Sequence, residues 1–144
     1  MPKLIKVDEP ADQHRRAILD GLVQFNLSQA GPGLRQTLCI AIEGDNGTLA
    51  GGLYGWTIYD WLFVELLFVP EQLRGQRLGA KLLAQAEDEA RARGCLGAWL
   101  DTFSFQARGF YEKLGYELAG TIPDHPRGGA RYILAKRWGS EASA

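Results

Sequence analysis

The apolar positions of this chain change period several times, and each change marks the edge of an element. Residues 3–7 alternate polar and apolar side chains (Lys3, Leu4, Ile5, Lys6, Val7), which predicts a first edge strand. Asp8-Glu9-Pro10 offers acidic residues and a proline at a helix entry, and Ile18, Leu19, Leu22, Val23 and Phe25 follow at near-helical spacing as far as Asn26. Residues 28–36, with Gly31-Pro32-Gly33, break that helix and read as a loop. Residues 37–43 read as a strand, Gly44-Asp45-Asn46-Gly47 as a hairpin turn, and residues 48–59 as the returning strand. Asp60 turns the chain into residues 61–69, apolar and aromatic enough for a buried central strand. Three strands joined by short turns predict an antiparallel meander.

Residues 78–93 carry the clearest helical pattern. Leu78, Leu82, Leu83, Ala86 and Ala90 form one apolar stripe, which assigns Lys81, Glu87, Asp88, Arg91 and Arg93 to the solvent side, and Gly94 supplies the stop. Residues 96–101 read as the next strand and residues 105–114 as a short helix ended by Gly115. Residues 116–119 and 131–136 give two more strands around a loop with Pro123, Pro126, Gly128 and Gly129. No repeat, low-complexity tract or linker divides the chain. The expectation is an α/β (α+β) fold in one domain spanning residues 1–144.

Composition narrows the function classes. Hydrophobic residues make up 46% and charged residues 23%, the balance of a globular protein with its own core. A formal net charge of −1 gives no electrostatic case for general nucleic-acid binding, although Arg74, Arg77, Arg91 and Arg93 fall close together. No stretch approaches the ~20 apolar residues that span a bilayer, and the N-terminal residues carry no signal-peptide core, so a cytoplasmic protein is expected. Cys39 and Cys95 are far apart, each in an apolar stretch, and are expected as reduced core thiols rather than zinc ligands or nucleophiles. His14 and His125 are expected in surface or packing roles, and no metal site is expected.

The most informative segment is VELLFVPEQLRGQRLGA, residues 64–80. A strand ending near Pro70, a glycine-bearing turn and then a helix aim unpaired backbone N–H groups, with the positive end of the helix dipole, at one place. An anionic group such as a phosphate suits that place. The absence of a GK[ST] sequence and of paired metal-binding carboxylates argues against a phosphotransferase.

Arg74-Gly75-Gln76-Arg77-Leu78-Gly79-Ala80 resembles the acetyl-CoA pyrophosphate loop of the GNAT acetyltransferases, Q/R-x-x-G-x-G/A, and Ala107-x-x-x-Tyr111-x-x-x-Gly115-Tyr116 resembles their second signature, A-x-x-x-Y-x-x-x-G-F/Y. The chain departs from the first at Arg77, where the motif has a glycine; phosphate donation by that backbone N–H then requires helical φ/ψ in the turn. The resemblance implies a mixed, mostly antiparallel sheet of about six or seven strands, about four flanking helices and a splay between the fourth and fifth strands. It implies acetyl-CoA as co-substrate, held by the loop residues Arg74, Gly75, Gln76, Arg77, Leu78, Gly79 and Ala80. Leu67, Phe68 and Val69 would meet the pantetheine arm, and Ser104 stands where many members have a pantetheine-bonding asparagine.

Tyr111 is the candidate general acid for the leaving thiolate, since a phenol of ordinary pKa ~10 is protonated at neutral pH. Glu65, a carboxylate inside an apolar strand, is the candidate base for the acceptor ammonium; burial would push its pKa towards neutrality. Several GNAT enzymes place a glutamate in this strand. Asp60 and Glu112 are weaker candidates. Tyr54, Trp56, Tyr59, Trp61, Phe103 and Phe105 either shape an acceptor pocket or belong to the core. The expected activity is N-acetylation of a small-molecule or peptide amine by direct attack, with a homodimer possible as in much of the family and no nucleic-acid or membrane partner. The alternative is a GNAT-fold module that binds acyl-CoA without turnover. A toxin-like enzyme acetylating charged tRNA would use the same machinery, but the net charge disfavours an RNA partner.

Overall fold

The computed structural model describes residues 1–139, which fall into two compact units, Met1–Gly33 and the chain from Leu34 on. In the first, residues 3–7 form no strand, contrary to their alternating pattern. Alternation is only half of what a strand needs; the other half is a ladder partner, and the sheet takes none of its strands from this segment. Helix α1 spans Asp12–Ala30, four residues past the end read from the pattern. It stops at Gly31, at φ 76°, whose N–H bonds Leu27 O at 3.0 Å. Its start is closed by His14, whose Nδ1 accepts the Ala11 N–H at 2.9 Å.

The second unit is built on a six-stranded sheet in the order β1-β2-β3-β4-β6-β5. Strands β1 (Gln36–Glu43), β2 (Leu49–Ile58) and β3 (Trp61–Phe68) form the expected meander. Tyr59 and Asp60 link β2 to β3, both at positive φ, as the twist of a two-residue hairpin demands. A 3-10 turn (Glu71–Leu73) leads to α2 (Leu78–Ala92), and Gly94, at φ 86°, follows its end. Then come β4 (Gly97–Phe103), the short α3 (Arg108–Lys113), β5 (Glu117–Pro123) and β6 (Ala130–Arg137). Among the described strands only β3 and β4 pair in parallel. Three α-helices among the described residues, not about four, complete the mixed α/β architecture.

The core lies between α2 and one face of the sheet. Leu82, Leu83, Ala86 and Ala90 meet Leu38, Leu53, Leu62, Val64, Ala98, Leu100 and Leu134. Leu83 is 1% exposed, and truncating such a side chain to alanine costs about 2–5 kcal/mol.

Of the residues assigned to solvent by helical periodicity, Glu87 is buried and Arg93 is half-buried. Glu87 is 5% exposed: Tyr116 donates its hydroxyl to Oε2 at 2.8 Å, and Lys136 Nζ lies 2.8 Å from Oε1. Arg93 clamps the sheet end, donating to Gln36 O and Thr57 Oγ1 through Nη1 and to Thr37 O through Nη2. Periodicity separates apolar from polar positions, but it cannot see a buried polar group whose partners come from distant strands. Cys95 is buried as expected; Cys39 is exposed, because its side of β1 faces away from α2.

Candidate active site

Strands β3 and β4 pair for only four residues, from Trp61↔Gly97 to Val64↔Leu100. A register shift against β2 between Tyr54 and Gly55 leaves Glu65 as the extra residue of a bulge, because Tyr54 faces Leu66 while Gly55 faces Val64. From Glu65 on, the β4 side of β3 carries no ladder. The expected splay is present, and its cause is local: a bulge bends one strand away while β4 continues on β6 through Phe103.

A cleft of about 830 Å³ opens there. Leu67 and Phe68 line it from β3 and Val69 from just past its end; Arg74, Gly75 and Arg77 line it from the turn; Leu78, Gly79 and Ala80 line it from the first turn of α2. Tyr111 lines it from α3. The two sequence signatures, about thirty residues apart in the chain, thus face one space. Of the expected cofactor-site residues, Gln76 and Ser104 lie outside that lining. Ser104 is engaged elsewhere: its Oγ accepts the Ala130 N–H at 3.1 Å, extending the β4–β6 pairing.

The turn departs from the helical expectation at one residue. Arg77 is left-handed, φ 61° and ψ 25°, and it caps α2 with backbone alone. A glycine holds such a conformation without strain, whereas an L side chain pays about 1–2 kcal/mol. That is why the motif has glycine here, and why arginine is a cost in this chain. Gly75 is also left-handed, at φ 90°. Gly79 has a different task. A β-carbon there would lie 3.1 Å from the Phe110 ring, so its bareness lets α3 pack against the start of α2. Arg74 braces the strand end, donating Nε to Val69 O at 3.1 Å while its side chain lines the cleft.

Tyr111 is 9% exposed and packs edge-on against Phe110 and Tyr116. Burial, and then the negative charge of Asp101, push its phenol above the ordinary value of 10.0. Its hydroxyl makes no hydrogen bond to a described residue. The base candidates are placed less favourably. Glu65 is exposed, so the desolvation expected of it is absent. Asp60 sits at the β2–β3 turn, at the opposite end of β3 from the splay, with its carbonyl accepting the Leu96 N–H at 2.7 Å. Glu112 forms a surface pair with Arg108 at 3.3 Å.

Sequence reasoning missed the cleft residues Gln106, Phe110 and Lys113. Gln106 turns the chain out of β4: its Oε1 accepts the Phe103 N–H at 2.6 Å and the Thr102 hydroxyl at 3.2 Å. Nothing in the local pattern marks that reach-back. Phe110 was legible in principle as the aromatic neighbour of Tyr111; its ring packs on Gly79 of the other signature. Of the six aromatics named from the sequence, only Phe105 lines the cleft. Trp56 packs on Phe63, which packs on Trp99, in a row across the sheet face away from α2. Among the described residues no His, Cys, Asp or Glu cluster could hold a metal ion, and no helix is long and apolar enough to cross a membrane.

Comparison with known proteins agrees with this geometry. Residues 8–116 match the model of the acetyltransferase (GNAT) family. The chain is 44% identical over 123 residues to acetyltransferase Atu2258 of Agrobacterium fabrum, covering 85% of this chain and 90% of that protein. It is 48% identical over 94 residues to blasticidin-S acetyltransferase of Streptomyces morookaense, covering 65% of this chain and 69% of that protein. A crystal structure of a candidate acetyltransferase from Agrobacterium tumefaciens superposes with a TM-score of 0.90 at 40% identity, covering 95% of this chain and all of that one. A parted β3–β4 pair, a glycine-bearing turn at the start of α2 and a buried cleft tyrosine therefore have one context: the chain belongs to the GNAT acetyltransferase family.

Proposed function

We propose that the protein transfers the acetyl group of acetyl-CoA to a primary amine by direct attack, with Tyr111 as general acid and Glu65, or a water beside it, as base. The carrying observation is that β3 and β4 part after Val64 and Leu100, next to the α2 turn, with Tyr111 lining the same cleft. A pantetheine arm along Leu67, Phe68 and Val69 would satisfy the strand edge that β4 leaves open. The pyrophosphate would meet the N–H groups that open α2, and Arg74 and Arg77 would add charge. The acceptor nitrogen attacks the thioester carbon, the tetrahedral intermediate collapses, and the departing thiolate takes the Tyr111 proton. The raised pKa of that phenol keeps it protonated at neutral pH, so that a proton is present for the departing thiolate. Exposure of Glu65 favours loss of the ammonium proton through water. Neither cysteine lines the cleft, in keeping with transfer without an acyl-enzyme.

The 48% identity to blasticidin-S acetyltransferase makes blasticidin S the first acceptor to try. The test is release of free CoA thiol from acetyl-CoA with a panel of primary amines, blasticidin S included, with product mass confirming one added acetyl group. Thiol release that depends on an amine is expected. CoA binding without release for any amine would replace this reading with that of a binding module.

A further inference from the structure

The β4 side of the splay begins at Asp101, one residue past the last β3–β4 pair. Trp99 packs at a tilt of 36° against Phe63 with ring centroids 4.3 Å apart, on the face away from the buried Val64 and Leu100. Side chains alternate along a strand, so Asp101 projects on the same face as Trp99, at the end of the ring row Trp56, Phe63, Trp99. Tyr111 belongs to the core that α2 and α3 build on the other face, yet Asp101 is close enough to act electrostatically on its phenol. Asp101 is thus the first β4 residue that the parting of β3 leaves without a β3 partner, on the face opposite Tyr111.

Asp101 is also held in place. Arg131 donates Nε at 3.0 Å and Nη2 at 2.6 Å, and both bonds fall on Oδ1. Arg131 itself lies over the Phe103 ring and meets His125 Nε2 at 3.3 Å, so its own position is fixed from two further sides. Oδ2 receives no hydrogen bond from a described residue, and the carboxylate is about one-quarter exposed, its side chain at 24%. An aspartate with one oxygen clamped, the other open and a row of aromatic faces beside it is suited to receive a cation.

We infer that Asp101 positions the acceptor: Oδ2 takes a second positively charged group of the substrate while the reacting amine lies at the splay, so the enzyme selects amines that carry an additional ammonium or guanidinium. This rests on the acetyltransferase reading above and names the chemical class of its acceptor. Arg131 supplies the orientation and the Phe63 and Trp99 rings supply further cation-attracting surface, the Trp56 ring already carrying the Arg35 guanidinium at 4.5 Å from its centroid.

The test is isothermal titration of the enzyme–CoA complex with blasticidin S and with amine pairs that differ by one charge, such as agmatine against butylamine, for wild type, Asp101→Asn and Asp101→Glu. The charged member should bind wild type at least about tenfold more tightly. That advantage should vanish in Asp101→Asn and return in part in Asp101→Glu, with CoA affinity and melting temperature unchanged. In turnover, Asp101→Asn should raise the acceptor KM and leave kcat within about twofold, the pattern of lost uniform binding. Binding without thiol release would overturn the transferase reading, and with it the acceptor role, while leaving Asp101 as a cation-binding residue. Three results would overturn the inference: an advantage that survives in Asp101→Asn, no binding of any panel cation to wild type, or a parallel loss of CoA affinity and melting temperature, which would mark Asp101 as structural.

Discussion

Tyr111 and Tyr116 lie within one short stretch of chain, their rings 6.1 Å apart and both buried, yet their surroundings differ in the one respect that matters for chemistry. Tyr116 is tied: its hydroxyl bonds Glu87, which in turn holds Lys136. Tyr111 lines the cleft with its hydroxyl uncommitted. Burial is the first cause that pushes both phenols up, so an elevated pKa does not separate an acid from a strut. What separates them is whether the proton has somewhere to go.

Exchanging each tyrosine for phenylalanine should therefore split activity from stability. Tyr111→Phe should lower kcat about a hundredfold with the acetyl-CoA KM changed less than threefold and the melting temperature kept, read by thiol release and thermal unfolding. Tyr116→Phe should leave kcat within about threefold but cost about 1–3 kcal/mol, because Glu87 loses a buried donor. Breaking the strut at its centre is the larger structural test. Glu87→Ala strands a phenol and a part-buried ammonium, and urea unfolding should show a loss of about 3 kcal/mol.

The comparison extends to pH. The folded state holds the Tyr116 proton more tightly than the unfolded chain, whose tyrosines release theirs near 10.0. Stability from this residue is thus complete below pH 10 and falls as pH rises past it. Tyr116→Phe should flatten that alkaline loss, which unfolding midpoints between pH 8 and pH 11 would reveal (a range set by ordinary tyrosine titration near ~10).

The smallest expected effects lie in the turn. Arg74→Ala should weaken CoA binding about tenfold, the worth of one charge-assisted contact. Arg77→Gly should raise stability by about 0.5 kcal/mol, since relief of left-handed strain exceeds the added entropy of the unfolded glycine. CoA affinity should change little, because the backbone N–H remains. A tenfold loss of affinity in Arg77→Gly would show that the arginine side chain binds phosphate.

Much of this was legible in the chain. The meander, α2 and the strand–turn–helix order follow from period and turn chemistry, and the paired signatures placed Tyr111 and the turn on one cleft. The illegible parts share a cause. Glu87, Arg93 and Gln106 are polar residues whose partners stand far off in the fold or reach back on a bent chain, and periodicity assigns such residues to solvent by default. Residues 3–7 erred the other way, with a strand's alternation but no ladder. Ser104 matched a motif position, yet the open β6 edge claimed its hydroxyl first. Asp101 gave no signal, because a strand-end aspartate gains meaning only when the neighbouring strand leaves it.

The most direct test is a crystal structure with CoA bound. The account predicts the pyrophosphate on the backbone N–H groups between Gly75 and Ala80, the pantetheine along Leu67, Phe68 and Val69, and the thiol sulfur within hydrogen-bond reach of the Tyr111 hydroxyl. A sulfur closer to Ser104 than to Tyr111, or a pyrophosphate away from the α2 turn, would contradict it.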